Sequence, residues 1–418
     1  MDQVEKRVLE AIDYESMLGF IKDLIATPSY GGEETEAQQL VASEMKDLGL
    51  DVDQWWIDFE ELRRHPDFSM VYQRERGLGV VGSHRGTAEN PTLVLCGHID
   101  TVAPGDPSMW RTPPLEPTVR GGRLYGRGAA DMKAGLGGAL YALKAVRDTV
   151  ETEGGVAFMS VIGEEDGGCG ALASCLRGYR GEGGVVMEPS EAKIAPQVAG
   201  AISFKIHVQG KAVHACVKEE GVSAIEKFIL LHQALMGLEE RRNARLRTPL
   251  YSRYQVPYAV SVGRVEGGVW PGTVPESLVF EGRIGVAGGE DLDGVKGELE
   301  ACLEEASNRD PWLRNHKPRV EWAGYCFAPS SIPLDHPLLE VLRDSYREAV
   351  GREPVLEGMT YASDARHLER VAGTPTLVFG PGDVRVAHGP NEHVSLKQLE
   401  ETVRTLSLAI LRFTGGSG

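Results

Sequence analysis

A short apolar run, Leu93-Val94-Leu95-Cys96, leads directly into Gly97-His98-Ile99-Asp100. A run this short suits a buried strand, and open α/β sheets place their chemistry at strand ends, so the stretch predicts an imidazole and a carboxylate at one strand tip. Downstream, the turn Gly126-Arg127-Gly128 presents Asp131 just ahead of a helix marked by Leu136, Leu140 and Leu143. The pattern then recurs. Gly155 to Ile162 reads as a buried strand running into Gly163-Glu164-Glu165-Asp166, and Val185 to Met187 as another ending at Glu188-Pro189-Ser190. Thr376 to Phe379 is a short strand followed by a glycine- and proline-rich loop that carries His388.

The remaining segments supply the frame. Tyr14 to Ala26 and Thr35 to Gly49 read as amphipathic helices, the second carrying Leu40, Val41, Met45 and Leu48 and stopping at its glycine. Val52 to Ile57 and Leu78 to Val81 read as strands, and Asp58 to Arg76 between them as a solvated polar loop long enough to shape a pocket. Ile202 to Val208 alternates as a strand, Ser223 to Arg241 is helical, Tyr258 to Val265 and Ser277 to Val286 are strands, and Leu292 to Ala306 is a helix. This block predicts a small α+β domain, residues 201–324, inserted into a larger one made of residues 1–200 and 325–418. Pro337 to Val350 is helical, and Thr360 to Leu368 opens a helix with Ser363 or Asp364 as cap. The last helix starts with the capping box Ser395-Leu396-Lys397-Gln398 and buries Leu399, Val403, Leu406 and Ile410. The terminal Gly415-Gly416-Ser417-Gly418 reads as a flexible linker.

Charge excludes some partners. A net charge of −17 over 418 residues would repel a nucleic-acid backbone or an anionic membrane, while clustered acids attract divalent cations. No run approaches the roughly 20 apolar residues of a membrane helix, and the charged N-terminal stretch lacks a signal peptide's apolar core. A cytoplasmic protein is expected. The six cysteines, scattered without paired spacing, read as reduced thiols packed as small apolar residues.

Singly, each polar residue above has an ordinary explanation as a cap, a turn or a satisfied histidine. Jointly they do not. Strand ends of one open sheet converge, so His98, Asp131, Glu165, Glu188 and His388 would share one volume with Glu164 beside them. Carboxylates crowded there would repel and be desolvated, and these stretches hold too few lysines or arginines to neutralise them. Two divalent cations would do so. Mixed imidazole and carboxylate ligation suits zinc, with cobalt or manganese as substitutes.

Cys96-Gly97-His98-Ile99-Asp100, Gly126-Arg127-Gly128-Ala129-Ala130-Asp131-Met132-Lys133, Gly163-Glu164-Glu165 and the late His388 resemble the dinuclear zinc hydrolases that include acetylornithine deacetylase, succinyl-diaminopimelate desuccinylase, aminoacylase and glutamate carboxypeptidase. The likeness spans nearly the whole chain and is nearest to acetylornithine-deacetylase-like proteins. It implies a metallopeptidase-type α/β catalytic domain, with a central mixed sheet flanked by helices, and an inserted lid or dimerisation domain through which a homodimer forms. It also implies that His98, Asp131 and Glu188 hold one metal and Asp131, Glu165 and His388 the other, with Asp131 bridging. Asp100 would orient His98 and fix its tautomer, and Glu164 would pass a proton from water to the leaving amine. From the inserted domain, His214 would donate to the oxyanion, acting in its own or the partner subunit, while Arg283 and more weakly Arg366 would grip a substrate carboxylate.

Two departures stand out. Trp270-Pro271-Gly272-Thr273 replaces a turn in which many relatives have asparagine, leaving Thr273 as the polar group there, and Gly389 follows His388 where a hydroxyl residue is common. A glutamate at 188, rather than an aspartate, favours the deacylases and carboxypeptidases of the family over its aminopeptidases. The expected activity is hydrolysis of the amide bond of N-acyl amino acids or related small N-acyl compounds. The alternatives are a dipeptidase or carboxypeptidase using the same metals, or a metal-bearing binding protein without turnover. Gly126-Arg127-Gly128 does not complete a dinucleotide fingerprint, and no Gly-x-Ser-x-Gly elbow exists for a serine hydrolase.

Overall fold

A computed structural model describes residues 1–87 and 91–415. The linker expected over the last residues lies, from 416 on, outside the described part. Two compact units are present: Met1–Val198 with Ser330–Gly358 and Ser363–Gly418, and Ala199–Pro329 with Met359–Ala362. Among the described residues no helix is long and apolar enough to cross a membrane.

The larger unit is built on a mixed sheet whose strands run, edge to edge, Asp51–Trp56, Leu78–His84, Gly155–Val161, Pro91–His98, Gly183–Val186 and Thr376–Val378. Pro91–His98 pairs in parallel with Gly155–Val161 and with Gly183–Val186, and Thr376–Val378 is also parallel to Gly183–Val186. These four strands therefore finish at the same edge, and each opens there into a segment bearing acids or a histidine. Buried on both faces, and in Pro91–His98 from Leu93 on, they read as continuous apolar runs rather than alternating ones, as parallel strands covered by helices do.

The helix Ala134–Arg147 is buried along nearly its whole length. Small residues allow that. A Cβ at Gly135 would stand 2.3 Å from the Met187 carbonyl oxygen, and one at Gly137 2.5 Å from Ile21. The last helix, Leu396–Phe413, starts as expected, with Ser395 accepting from the Gln398 amide. The Gln398 side chain does not complete a capping box; it accepts from the Gly382 amide instead. At Ala365–Arg370 the expected cap also differs: Asp364 holds the cap position without a capping bond, and Ser363 Oγ accepts from the Ala365 amide.

The segment from 58 to 76 is not a simply solvated loop. Phe59 and Leu62 of a short helix are buried, and Arg74 is buried between Glu34 at 2.6 Å and Asp166 at 2.9 Å. Asp166 also accepts from the Val71 and Tyr72 amides. Charge misled the sequence reading at Arg74, whose pairing faces inward while Arg64 and Arg76 stay exposed.

The smaller unit is an antiparallel sheet in the order Val260–Gly267, Ser277–Val286, Gly200–Gln209, Arg319–Glu321. Ile202, Phe204, Ile206 and Val208 alternate into its core with Leu278, Phe280 and Ile284, against the helices Ala224–Arg245 and Leu292–Arg309. Val260–Gly267 is an edge strand, and Ile225, Ile229 and Leu230 of the first helix are exposed.

Candidate metal centre

His98 ends its strand with its ring buried. Its Nδ1 lies 2.9 Å from the backbone carbonyl of Asp100, an acceptor that requires a proton on Nδ1 and leaves Nε2 free to ligate. Asp100 thus orients His98, as the sequence reading expected, through its backbone carbonyl, while its carboxylate lies 3.7 Å from Nδ1. That carboxylate accepts from the amides of Glu164 and Glu165, at 3.3 and 3.1 Å. Asp100 therefore fixes His98 through its backbone and both glutamates through its side chain.

Asp131 faces two histidines. One of its oxygens lies 3.1 Å from His98 Nε2 and the other 3.4 Å from His388 Nε2. His388, on a residue with φ of 60°, also reaches Glu165 at 2.9 Å, and His98 is 3.7 Å from Glu188. Ligand atoms of His98, Asp131 and Glu165 lie within 4.8 Å of one another, as do those of His98, Glu164 and Glu188. All six residues that the sequence reading placed at this centre are therefore neighbours.

The cluster is short of positive charge. Among the described residues none of these four carboxylates pairs with lysine or arginine, and Glu188 Oε1 is buried with no hydrogen-bond partner. Burial pushes the Glu188 carboxyl up to about 8, and burial with the neighbouring Glu188 and Asp364 pushes Glu164 well above the usual range. Asp131 is different. Burial acts to raise it, but hydrogen bonds with His388 and His98 outweigh burial and hold it low. Acids that must otherwise keep protons, an orphaned oxygen and two imidazoles dividing one carboxylate fit a pair of divalent cations.

Three features here were not foreseen. Glu392, fully buried, accepts from the amides of Ala130 and Asp131 and pairs with buried Arg127. Arg74 braces Asp166, in the same loop as Glu164 and Glu165. Among the described residues Asp364 is buried with no hydrogen-bond partner on either oxygen, and burial pushes its carboxyl up to about 6. Arg366, a candidate for substrate, is buried and donates to the carbonyls of Gly167 and Ser363.

The smaller unit carries the other three candidates. His214 and Thr273 form an antiparallel bridge, and His214 Nδ1 accepts from the Cys216 amide, which assigns the ring proton to Nε2. Arg283 stands on its strand opposite Ser203 and Ser261, its Nε buried without a hydrogen-bond partner among the described residues.

The chain is similar to known proteins along nearly its whole length. The profile of peptidase family M20/M25/M40 matches residues 94–412. An N-formyl-4-amino-5-aminomethyl-2-methylpyrimidine deformylase from Halalkalibacterium halodurans is 29% identical over 413 residues, covering 94% of this chain and 93% of its own. An acetylornithine deacetylase from Photorhabdus laumondii is 27% identical, covering 94% and 96%. In three dimensions the chain is similar to a dinuclear metal-binding M20 peptidase from Bacillus subtilis, with a TM-score of 0.64 at 15% identity over 95% of this chain and 98% of that one.

Proposed function

This chain belongs to peptidase family M20/M25/M40, a family of hydrolases, and on that premise we propose that it removes a short acyl group from a small N-acyl compound by amide hydrolysis. The observation that carries the reading is Asp131, which offers one oxygen to each of two histidines, so that two ligand sets share it. His98, Glu188 and Asp131 would hold one cation and Asp131, Glu165 and His388 the other. Zinc suits these donors, with cobalt or manganese able to replace it.

When bound, the cations polarise the substrate carbonyl and make water acidic enough to attack near neutral pH. The chain's own residues do the rest. Glu164, the acid that neither ligand set uses, takes the proton of the attacking water and returns it to the leaving nitrogen. Asp100 holds the backbone beneath Glu164 and Glu165, so base and ligand keep their separation. His214, protonated on Nε2, is the donor we assign to the oxyanion, and Arg283 and Thr273 are the contacts we assign to substrate.

Two curated relatives matched along nearly their whole length are named for removing formyl and acetyl groups, which supports a short acyl group. N-acyl amino acids and N-formyl aminomethyl pyrimidines are the two substrate classes to separate. The exposed edge strand Val260–Gly267 and the apolar Ile225, Ile229 and Leu230 support a homodimer formed through the smaller unit. The free cysteines fit a cytoplasmic enzyme. The test is a zinc-loaded screen of formyl, acetyl and succinyl amides of amino acids and aminomethyl pyrimidines, repeated after chelation. Turnover of a short-acyl amide that vanishes with the metal and returns with it is expected. Cleavage of dipeptides alone, or activity indifferent to chelation, would overturn the reading.

A further inference from the structure

The Gly126-Arg127-Gly128 turn presents Asp131, and its arginine is among the largest fully buried side chains of the described residues. Arg127 Nη1 donates to Glu392 Oε2 at 2.5 Å, and its guanidinium lies over the Trp110 ring, 5.2 Å from the centroid. The other nitrogen, Nη2, reaches the carbonyl of Gly389, the residue after His388, at 3.4 Å. Glu392 spends its second oxygen on the ligand segment itself: Oε1 accepts from the amides of Ala130 and Asp131, at 2.9 and 3.1 Å. The Gly126 amide in turn donates to the Glu392 carbonyl, and His393–Ser395 pairs with Arg123–Tyr125 just beyond.

One buried ion pair thus grips the backbone of Asp131 with one end and the backbone beside His388 with the other. We infer that Arg127 and Glu392 are positioning residues that set the distance between Asp131 and His388, and so govern binding of the cation these two would share. The inference rests on the two-cation reading above. A merely space-filling role is a poor account of the pair, because burying two charges gains little over apolar residues of similar size. The bonds instead converge on the two segments that deliver ligands. The other half of the centre has no such need: His98 and Glu188 stand where neighbouring core strands end.

The test is titration of metal-free protein with zinc by calorimetry, with bound metal counted and the visible spectrum of the cobalt form recorded. Wild type should take up two equivalents, and H388A should keep the tighter one. R127K preserves the charge but not the fork that reaches Gly389, and E392Q removes the anion facing Arg127. Each should weaken the second equivalent about 10- to 100-fold, the usual cost of losing a group that orients a ligand. The first equivalent should weaken much less, and R127K in the H388A background should leave it unchanged. Circular dichroism of the metal-free variants checks folding, and either folded variant decides the matter. Wild-type affinity at both equivalents, equal losses at both, or failure of both variants to fold would overturn the inference. Wild type binding fewer than two equivalents would instead sink the two-cation reading.

Discussion

His98 and His388 approach the same carboxylate from unlike surroundings. The side chain of His98 is 1% exposed, at the end of a central strand and locked by a backbone carbonyl. That of His388 is 53% exposed, on a loop residue with positive φ. The first is placed by the sheet and core, so its position follows from the fold. The second is placed by a loop that buried side chains must tie down. The contrast teaches that one centre can be half core and half loop, and that damage should differ between the halves.

The largest effect should come from the buried half without touching a ligand. E164Q should lower turnover about a hundred- to ten-thousand-fold while bound metal stays at the wild-type level, measured by kinetics and metal analysis. Equal turnover in both proteins would remove Glu164 as the base.

Next, the two histidines can be set against each other in metal-free protein. H98A breaks the buried pair with Asp131 and should cost about 3 to 5 kcal/mol in denaturant unfolding. H388A breaks a half-exposed pair and should cost about 0 to 1 kcal/mol. Equal costs would erase the distinction between the halves.

A packing change sharpens it further. A Cβ at Gly380 would lie 2.2 Å from the Met187 carbonyl oxygen and 2.5 Å from that of Glu188. G380A should therefore cost about 1 to 3 kcal/mol and displace Glu188, lowering affinity for the first zinc equivalent more than for the second.

The smallest effect is a pH dependence of the exposed half. Hydrogen bonds with Asp131 and Glu165 push His388 up to about 10 in metal-free protein. A raised histidine pKa stabilises the folded state fully below the ordinary value near 6.5, and that contribution is lost as pH rises through about 10. The stability difference between wild type and H388A should shrink across that window, and zinc binding at neutral pH should release a proton. A His388 ring titrating near 6.5 by NMR would contradict this.

The buried half was also the legible half. Apolar runs ending in His98 and Glu188 announce strands and their tips, because burial on both faces leaves a continuous hydrophobic signal. His388 lies nine residues into the loop after its short strand, so the strand end pointed to the loop and family likeness to the residue within it. Glu392, Arg127, Glu34 and Arg74 escaped notice for one shared reason: periodicity registers which residues avoid water, and a charge that does so by pairing looks like any surface charge. The two jobs of Asp100 were beyond reach for another reason, since a sequence does not say which oxygen of a residue meets which neighbour.

Arg74 has a consequence for how the folded chain meets a protease. Arg64 and Arg76 are exposed on either side of it, whereas Arg74 is shut between two acids. Trypsin acting on the native protein should nick this segment at the outer arginines and spare the middle one, so the fragment pattern would report whether the inward-facing pairings persist in solution.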